Sequence, residues 1–123
     1  MRVLWFTVTP SLAASHLNIS VTGRGWIESL HEKINEIHGI DLAVAFVHGE
    51  KKLEKFTLEK TTYFAMPGKT PGKIKRLIDR HLNRVDDSEL ISHCIKVVND
   101  YKPDIINIFG TEEAFGLIGD KVN

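Results

Sequence analysis

Three continuous apolar runs constrain this chain more than any other feature. They cover residues 2–8 (around Val3-Leu4-Trp5-Phe6), residues 40–47 (around Leu42-Ala43-Val44-Ala45-Phe46) and residues 105–109 (around Ile105-Ile106-Asn107-Ile108). A strand with one wet face alternates apolar and polar residues, whereas these runs barely alternate. Strands that read this way are buried on both faces, as in a parallel sheet covered by helices. Parallel neighbours need long crossover connections, and helical patterns stand between the runs. The chain therefore reads as an α/β fold, a Rossmann-like three-layer sandwich with a mostly parallel sheet and right-handed crossovers.

The intervening segments fill in the order. After the first run, turn formers extend to Gly23 and Gly25, and a helix then begins at Trp26. Trp26, Ile27, Leu30, Ile34 and Ile37 form its expected inner face, opposite Glu28, Glu32, Lys33 and Glu36. His38-Gly39 is the expected stop, with Gly39 as a left-handed cap. Leu53–Leu58 and Thr61–Met66 flank Glu59-Lys60 as a short hairpin. Pro67, Gly68, Pro71 and Gly72 interrupt the chain before a helix from Lys73 to Asn83. A further helix starts near Asp86-Asp87-Ser88 and runs to Tyr101, with Leu90, Ile91, Cys94, Ile95 and Val98 expected inward. Lys102-Pro103-Asp104 stops it, and Ala114–Val122 begins another helix. Residues 1–123 are thus expected to form one domain, the front piece of a longer polypeptide.

Composition narrows the classes. The 123 residues are 42% hydrophobic and 26% charged with no net charge, which suits one folded domain and no general nucleic-acid binder. A chain of this length buries roughly two-thirds of its unfolded surface. No apolar run approaches the roughly 20 residues that span a bilayer, and the start lacks the pattern of a signal peptide. One cysteine, Cys94, excludes an internal disulfide and suits a reducing, cytoplasmic setting. Its place on an apolar helix face makes it a core thiol. The six histidines show no metal-ligand spacing, so no metal is expected.

Charge is uneven. Residues 69–84 carry a net +5, leaving −5 for the remainder. Lys73, Lys75, Arg76, Arg80 and Arg84 surround Ile74, Leu77, Ile78 and Leu82. This is either a core-packing helix with a solvated cationic face or a helix that adsorbs to an anionic membrane.

Ligands of open α/β sheets bind beyond the carboxyl ends of the strands, so the loops after Val8, Val47 and Phe109 are the candidates. The first loop is long and ends in Gly23-Arg24-Gly25 at a helix start. Backbone N–H groups there, with Arg24, suit a phosphate, and the same residues suit a tight turn and cap. The dinucleotide fingerprint fails because Glu28 occupies the third glycine position, and the Walker pattern is absent. In the third loop, Gly110, Thr111, Glu112 and Glu113 suit either a hydroxyl-rich ligand or a simple helix cap. His16 and His48 fall in candidate loops, as bases or as surface histidines.

Gly23-Arg24-Gly25-Trp26-Ile27-Glu28-Ser29-Leu30, the opening Met1-Arg2-Val3-Leu4-Trp5-Phe6-Thr7 and the segment from Lys102-Pro103-Asp104 to Gly110-Thr111-Glu112 resemble a known pattern. It is that of the N-terminal domain of GT-B glycosyltransferases, closest to the retaining group of family four that builds bacterial surface polysaccharides. The resemblance implies the N-terminal half of a two-domain enzyme that moves a sugar from a nucleotide-sugar donor to a saccharide or lipid-linked acceptor. It implies donor-diphosphate contact at Gly23, Arg24 and Gly25, and an acceptor side lined by Asn107, Gly110, Thr111 and Glu112. The nucleotide sugar is a substrate, so no cofactor or bound metal is implied. The donor-binding domain would follow Asn123. A lipid-linked acceptor would place the enzyme in the cytoplasm, on the inner face of the plasma membrane. The chain departs from the pattern where family members often carry histidines in the strand before the glycine. Here those places are Asn107 and Phe109, so no proton can be carried there. The alternative is a non-catalytic nucleotide- or sugar-binding α/β module.

Overall fold

The computed structural model describes residues 1–7, 10–14, 17, 25–48, 52–67 and 88–109. Five strands form one sheet. They are β1 (Arg2–Thr7), β2 (Asp41–Val47), β3 (Glu54–Leu58), β4 (Thr61–Met66) and β5 (Ile105–Ile108), in the order β3-β4-β2-β1-β5. Strands β1, β2, β4 and β5 are parallel, and β3 runs antiparallel to β4 at one edge. Leu4 sits between Ala43 of β2 and Ile106 of β5, and Trp5 between Val44 and Asn107. The first two runs are therefore interior parallel strands, with Val3 to Thr7 and Leu42 to Phe46 buried. The third, expected to be buried on both faces, is the edge strand β5, with Ile105 and Asn107 exposed and Ile106 and Ile108 half-buried, because it has a strand neighbour on one side alone among the described residues. The outer strand β3 alternates too: Phe56 and Leu58 are half-buried, while Lys55 and Thr57 are exposed. Its hairpin turns at Glu59-Lys60, where Glu59 takes φ 53°. Tight hairpin turns of the primed kind need a positive φ at that place.

Alternate strand residues divide the core in two. Leu4, Phe6, Ala43, Ala45, Phe64 and Met66 pack under helix α2 (Ser88–Tyr101), against Cys94, Val97 and Tyr101. Val3, Trp5, Leu42, Val44, Phe46 and Tyr63 pack on the opposite face, against Ile27 of helix α1 (Trp26–Asn35) and Ala13 of the 3-10 turn Ser11–Ala13. Fully burying one of these large side chains contributes roughly 1.5–3 kcal/mol. At the amino ends of the strands, Arg2 donates from Nη1 to the Tyr101 carbonyl at 2.9 Å. The Tyr101 hydroxyl donates to the Asp41 carbonyl at 2.7 Å.

Both helix faces differ from the periodicity. Helix α1 turns Ile27, Glu28 and His31 inward, with Ile34 partly buried. Trp26, Leu30 and Ile37 are 63%, 38% and 52% exposed. Counting hydrophobic residues rotated the face by about one position, because the inward stripe uses a histidine that finds hydroxyl partners. The helix also ends at Asn35, short of His38, through tighter bonds from Glu36 N–H to Lys33 and Ile37 N–H to Ile34. Gly39 does take the left-handed conformation, φ 85°. On α2 the buried residues are Cys94, Val97 and Tyr101, with Leu90 and Val98 packed beside them. Ile91 and Ile95 are half-exposed and Val97 and Tyr101 replace them. Lys102, at φ 53°, closes the helix ahead of Pro103. The cationic segment and the helix expected over 114–122 lie outside the described residues.

Candidate functional site

Four parallel strands end on one edge, at Thr7, Val47, Met66 and Ile108. The ladder continues past these ends: His48 N–H donates to the Met66 carbonyl at 3.0 Å, and Phe109 N–H to the Phe6 carbonyl at 2.9 Å. His48 is half-buried, its ring edge-on to Phe46 at 6.2 Å. Helix α1 starts at the same edge, with Gly25 as its extended N-cap. The carboxylate of Glu28 folds back onto that start. A Cβ added at Gly25 would lie 2.7 Å from Glu28 Oε2. Glycine thus leaves room for an acidic side chain in the first turn, where the helix dipole favours it. The local seat for an anion at Gly25 is held by the chain's own carboxylate, so a phosphate binding there has to displace it.

An aromatic series links this helix start to β5. The Trp26 ring is edge-on to Phe109, with centroids 5.2 Å apart and planes at 73°. Phe109 is in turn edge-on to Trp5 at 5.1 Å, and Trp5 to His31 at 5.8 Å. Such pairs contribute about 0.5–1.5 kcal/mol each beyond their buried area. Trp5 is fully buried, and its indole N–H has no hydrogen-bond partner among the described residues.

Beneath the edge lies a buried polar chain. Ser11 Oγ is 2.8 Å from His31 Nδ1, and Thr61 Oγ1 is 2.9 Å from His31 Nε2. The neutral ring donates from one nitrogen and accepts at the other, so it satisfies both hydroxyls. Burial holds the His31 pKa down at about 4, against a smaller opposing effect of the Glu28 carboxylate. The chain ties the 3-10 turn to α1 and to β4. It also fixes Ser11 at φ 51°, a conformation that costs a non-glycine residue about 1–3 kcal/mol. Beside the hairpin, and so away from the carboxyl edge, a groove of about 450 Å³ is lined by Leu12, Glu32, Asn35, Leu58, Thr61 and Tyr63.

Of the residues read from sequence as a ligand site, the structure describes Gly25, His48 and Asn107, of which His48 is half-buried beside Phe46. Gly25 and Asn107 belong to one neighbourhood: Gly25 precedes Trp26, and Asn107 is two residues before the Phe109 that Trp26 touches. Asn107 is exposed. Gly23, Arg24, Gly110, Thr111, Glu112, Glu113 and His16 lie outside the described residues, as do Lys73, Lys75, Arg76, Arg80 and Arg84. Among the described residues no group of His, Cys, Asp or Glu is placed to hold a metal ion. No helix among them is long and apolar enough to cross a membrane. Sequence reasoning missed Ser11, His31 and Thr61, which come together across 20 and 30 residues without a shared motif. It also missed Trp26 as a surface residue. A large aromatic at the first helical position, directly after a glycine cap at a strand-end loop, is the signal that pointed to it.

Compared with known proteins, the chain matches no family model, no curated protein and no solved structure.

Proposed function

We propose that this chain is the acceptor-side domain of a GT-B glycosyltransferase, with the three-layer Rossmann-like architecture of that fold. One observation carries the reading. The glycine-capped start of α1 meets Phe109, directly after β5 and two residues beyond the exposed Asn107, at the carboxyl edge of the parallel sheet. These lie in two of the three segments whose sequences resemble family-four glycosyltransferases. Open α/β sheets place ligands at that edge.

In this reading Gly23, Arg24 and Gly25 hold the donor diphosphate, which displaces the Glu28 carboxylate from Gly25. The C1–O bond to the diphosphate breaks through an oxocarbenium-like state, and the negative charge develops on the leaving oxygen. Backbone N–H groups and the Arg24 guanidinium stabilise that charge. The acceptor hydroxyl forms the new bond to C1 and gives its proton to the leaving diphosphate oxygen. Asn107 is unable to take that proton, so its amide orients the acceptor by hydrogen bonds. Gly110, Thr111 and Glu112 extend the acceptor side, and the transfer retains configuration. Lys73, Lys75, Arg76, Arg80 and Arg84 hold the enzyme at an anionic membrane on its cytoplasmic side, near a lipid-linked acceptor.

The test is transfer by the native polypeptide that contains this domain. It is incubated with a panel of radiolabelled nucleotide sugars and a membrane extract of its own cells. Label passing into saccharide or lipid, with equimolar nucleoside diphosphate released, supports the proposal. Saccharide binding without nucleoside diphosphate release overturns it in favour of a binding module.

A further inference from the structure

We infer that Trp26 and Asn107 form a stacking subsite for one neutral pyranose ring, on the face of the sheet beside α1. The inference deepens the proposed function, and rests on it only for naming that sugar the acceptor.

The geometry comes first from strand alternation. Ile106 and Ile108 pack into the core under α2. Phe109 packs into the core under α1. Asn107 and Ile105 therefore share the α1 side of β5 with Phe109. Ile27 of helix α1 packs with Val3 and Trp5 of β1 and with Leu42, Val44 and Phe46 of β2, while on β5 Ile105 is 43% exposed and Asn107 is open to solvent. Trp26 forms the wall of this trough. Its indole is 63% exposed yet held in place, because Phe109 abuts it and Phe109 is backed by the fully buried Trp5. An exposed aromatic ring on a rigid support offers a stacking surface with little ordering cost.

The residue types then select the occupant. One face of a pyranose presents C–H groups that suit an indole. Its edge presents hydroxyl pairs that suit an amide, which donates and accepts side by side. Asn107 and Phe109 are two strand positions apart, roughly 6–7 Å, within the span of one sugar ring. A protein surface docked here would bury the Asn107 amide and have to supply matching partners. A phosphorylated ligand would meet the Glu28 carboxylate, folded back against Gly25 next to Trp26. A neutral polyhydroxylated ring meets neither obstacle.

The chain holds one buried and one exposed tryptophan, so fluorescence reads the proposed site directly. The Trp5→Phe variant leaves Trp26 as the sole emitter. Methyl glucopyranoside, galactopyranoside and mannopyranoside are titrated separately, and emission and acrylamide quenching are followed. At least one pyranoside should shift the emission to the blue and shield Trp26 from acrylamide. In the same background Asn107→Ala should weaken that ligand about tenfold, the loss of one or two hydrogen bonds. Wild-type protein should show the response and Trp26→Ala should lose it, with circular dichroism unchanged because both positions are exposed. No response to any pyranoside overturns the inference, as does a response to uridine diphosphate alone. A concentration-dependent shift without sugar, abolished by Trp26→Ala in sedimentation, also overturns it and assigns the patch to a second copy. Transfer activity with no pyranoside response would remove this subsite and leave the glycosyltransferase reading intact.

Discussion

Acid should weaken this fold through one buried ring. His31 is fully enclosed, flanked by Trp5 and Tyr63, with both nitrogens engaged by Ser11 and Thr61. Its charged form is disfavoured by burial, and Glu28 offsets only part of that. The folded pKa is about 4 and the unfolded value 6.5, so the unfolded chain binds the extra proton between these values. Stability is therefore full above pH 6.5, falls as pH drops, and levels off below about 4. At about 1.4 kcal/mol per pH unit the loss from this one group is about 3 kcal/mol. That is a large share of the roughly 5–15 kcal/mol holding a typical domain together. The assay is urea unfolding at a series of pH values, with His31→Phe as the reference. Phenylalanine fills the ring's space without titrating. It leaves two hydroxyls unpaired, at about 1–3 kcal/mol each if they stay buried. The variant should be less stable than wild type at neutral pH, and the difference should shrink through the window as wild type loses its advantage. Parallel curves for the two proteins between pH 6.5 and 4 would refute the argument. So would an imidazole NMR titration with a midpoint near 6.5.

Two further outcomes follow from the same structure. Glu28→Gln removes the carboxylate beside Gly25, so inorganic pyrophosphate should bind the helix start several-fold more tightly by calorimetry; equal or weaker binding would show that Glu28 does not compete there. Cys94 is buried with its thiol pushed up to about 12, so a thiol reagent at neutral pH should modify native protein only as fast as the chain opens; modification at the rate of a free thiol would contradict the α2 packing.

The sequence by itself determined the backbone architecture. Val3 to Thr7 and Leu42 to Phe46 declared themselves as interior strands because burial on both faces leaves no room for alternation, whereas Ile105 to Ile108 read the same way and is an edge strand with Ile105 and Asn107 exposed. Glu59-Lys60 marked the hairpin turn, and Lys102-Pro103 the end of α2. These signals are local: a strand, a turn and a cap are each written within a few residues. Tertiary structure decided which side of each helix faces the sheet. On α1 the hydrophobic count placed Trp26, Leu30 and Ile37 beside Ile27 on the inner face, yet those three are exposed and His31 went inward with Ile27. A histidine belongs in a core only when partners await it, and those partners sit 20 and 30 residues away. The same holds for the trough beside β5. Asn107 was legible as an unusual polar residue in an apolar strand, but its nearness to the start of α1 follows from the contact of Trp26 with Phe109, two residues further on. No spacing rule encodes that contact, because it arises only when β5 comes to lie beside β1 and the start of α1 settles against Phe109.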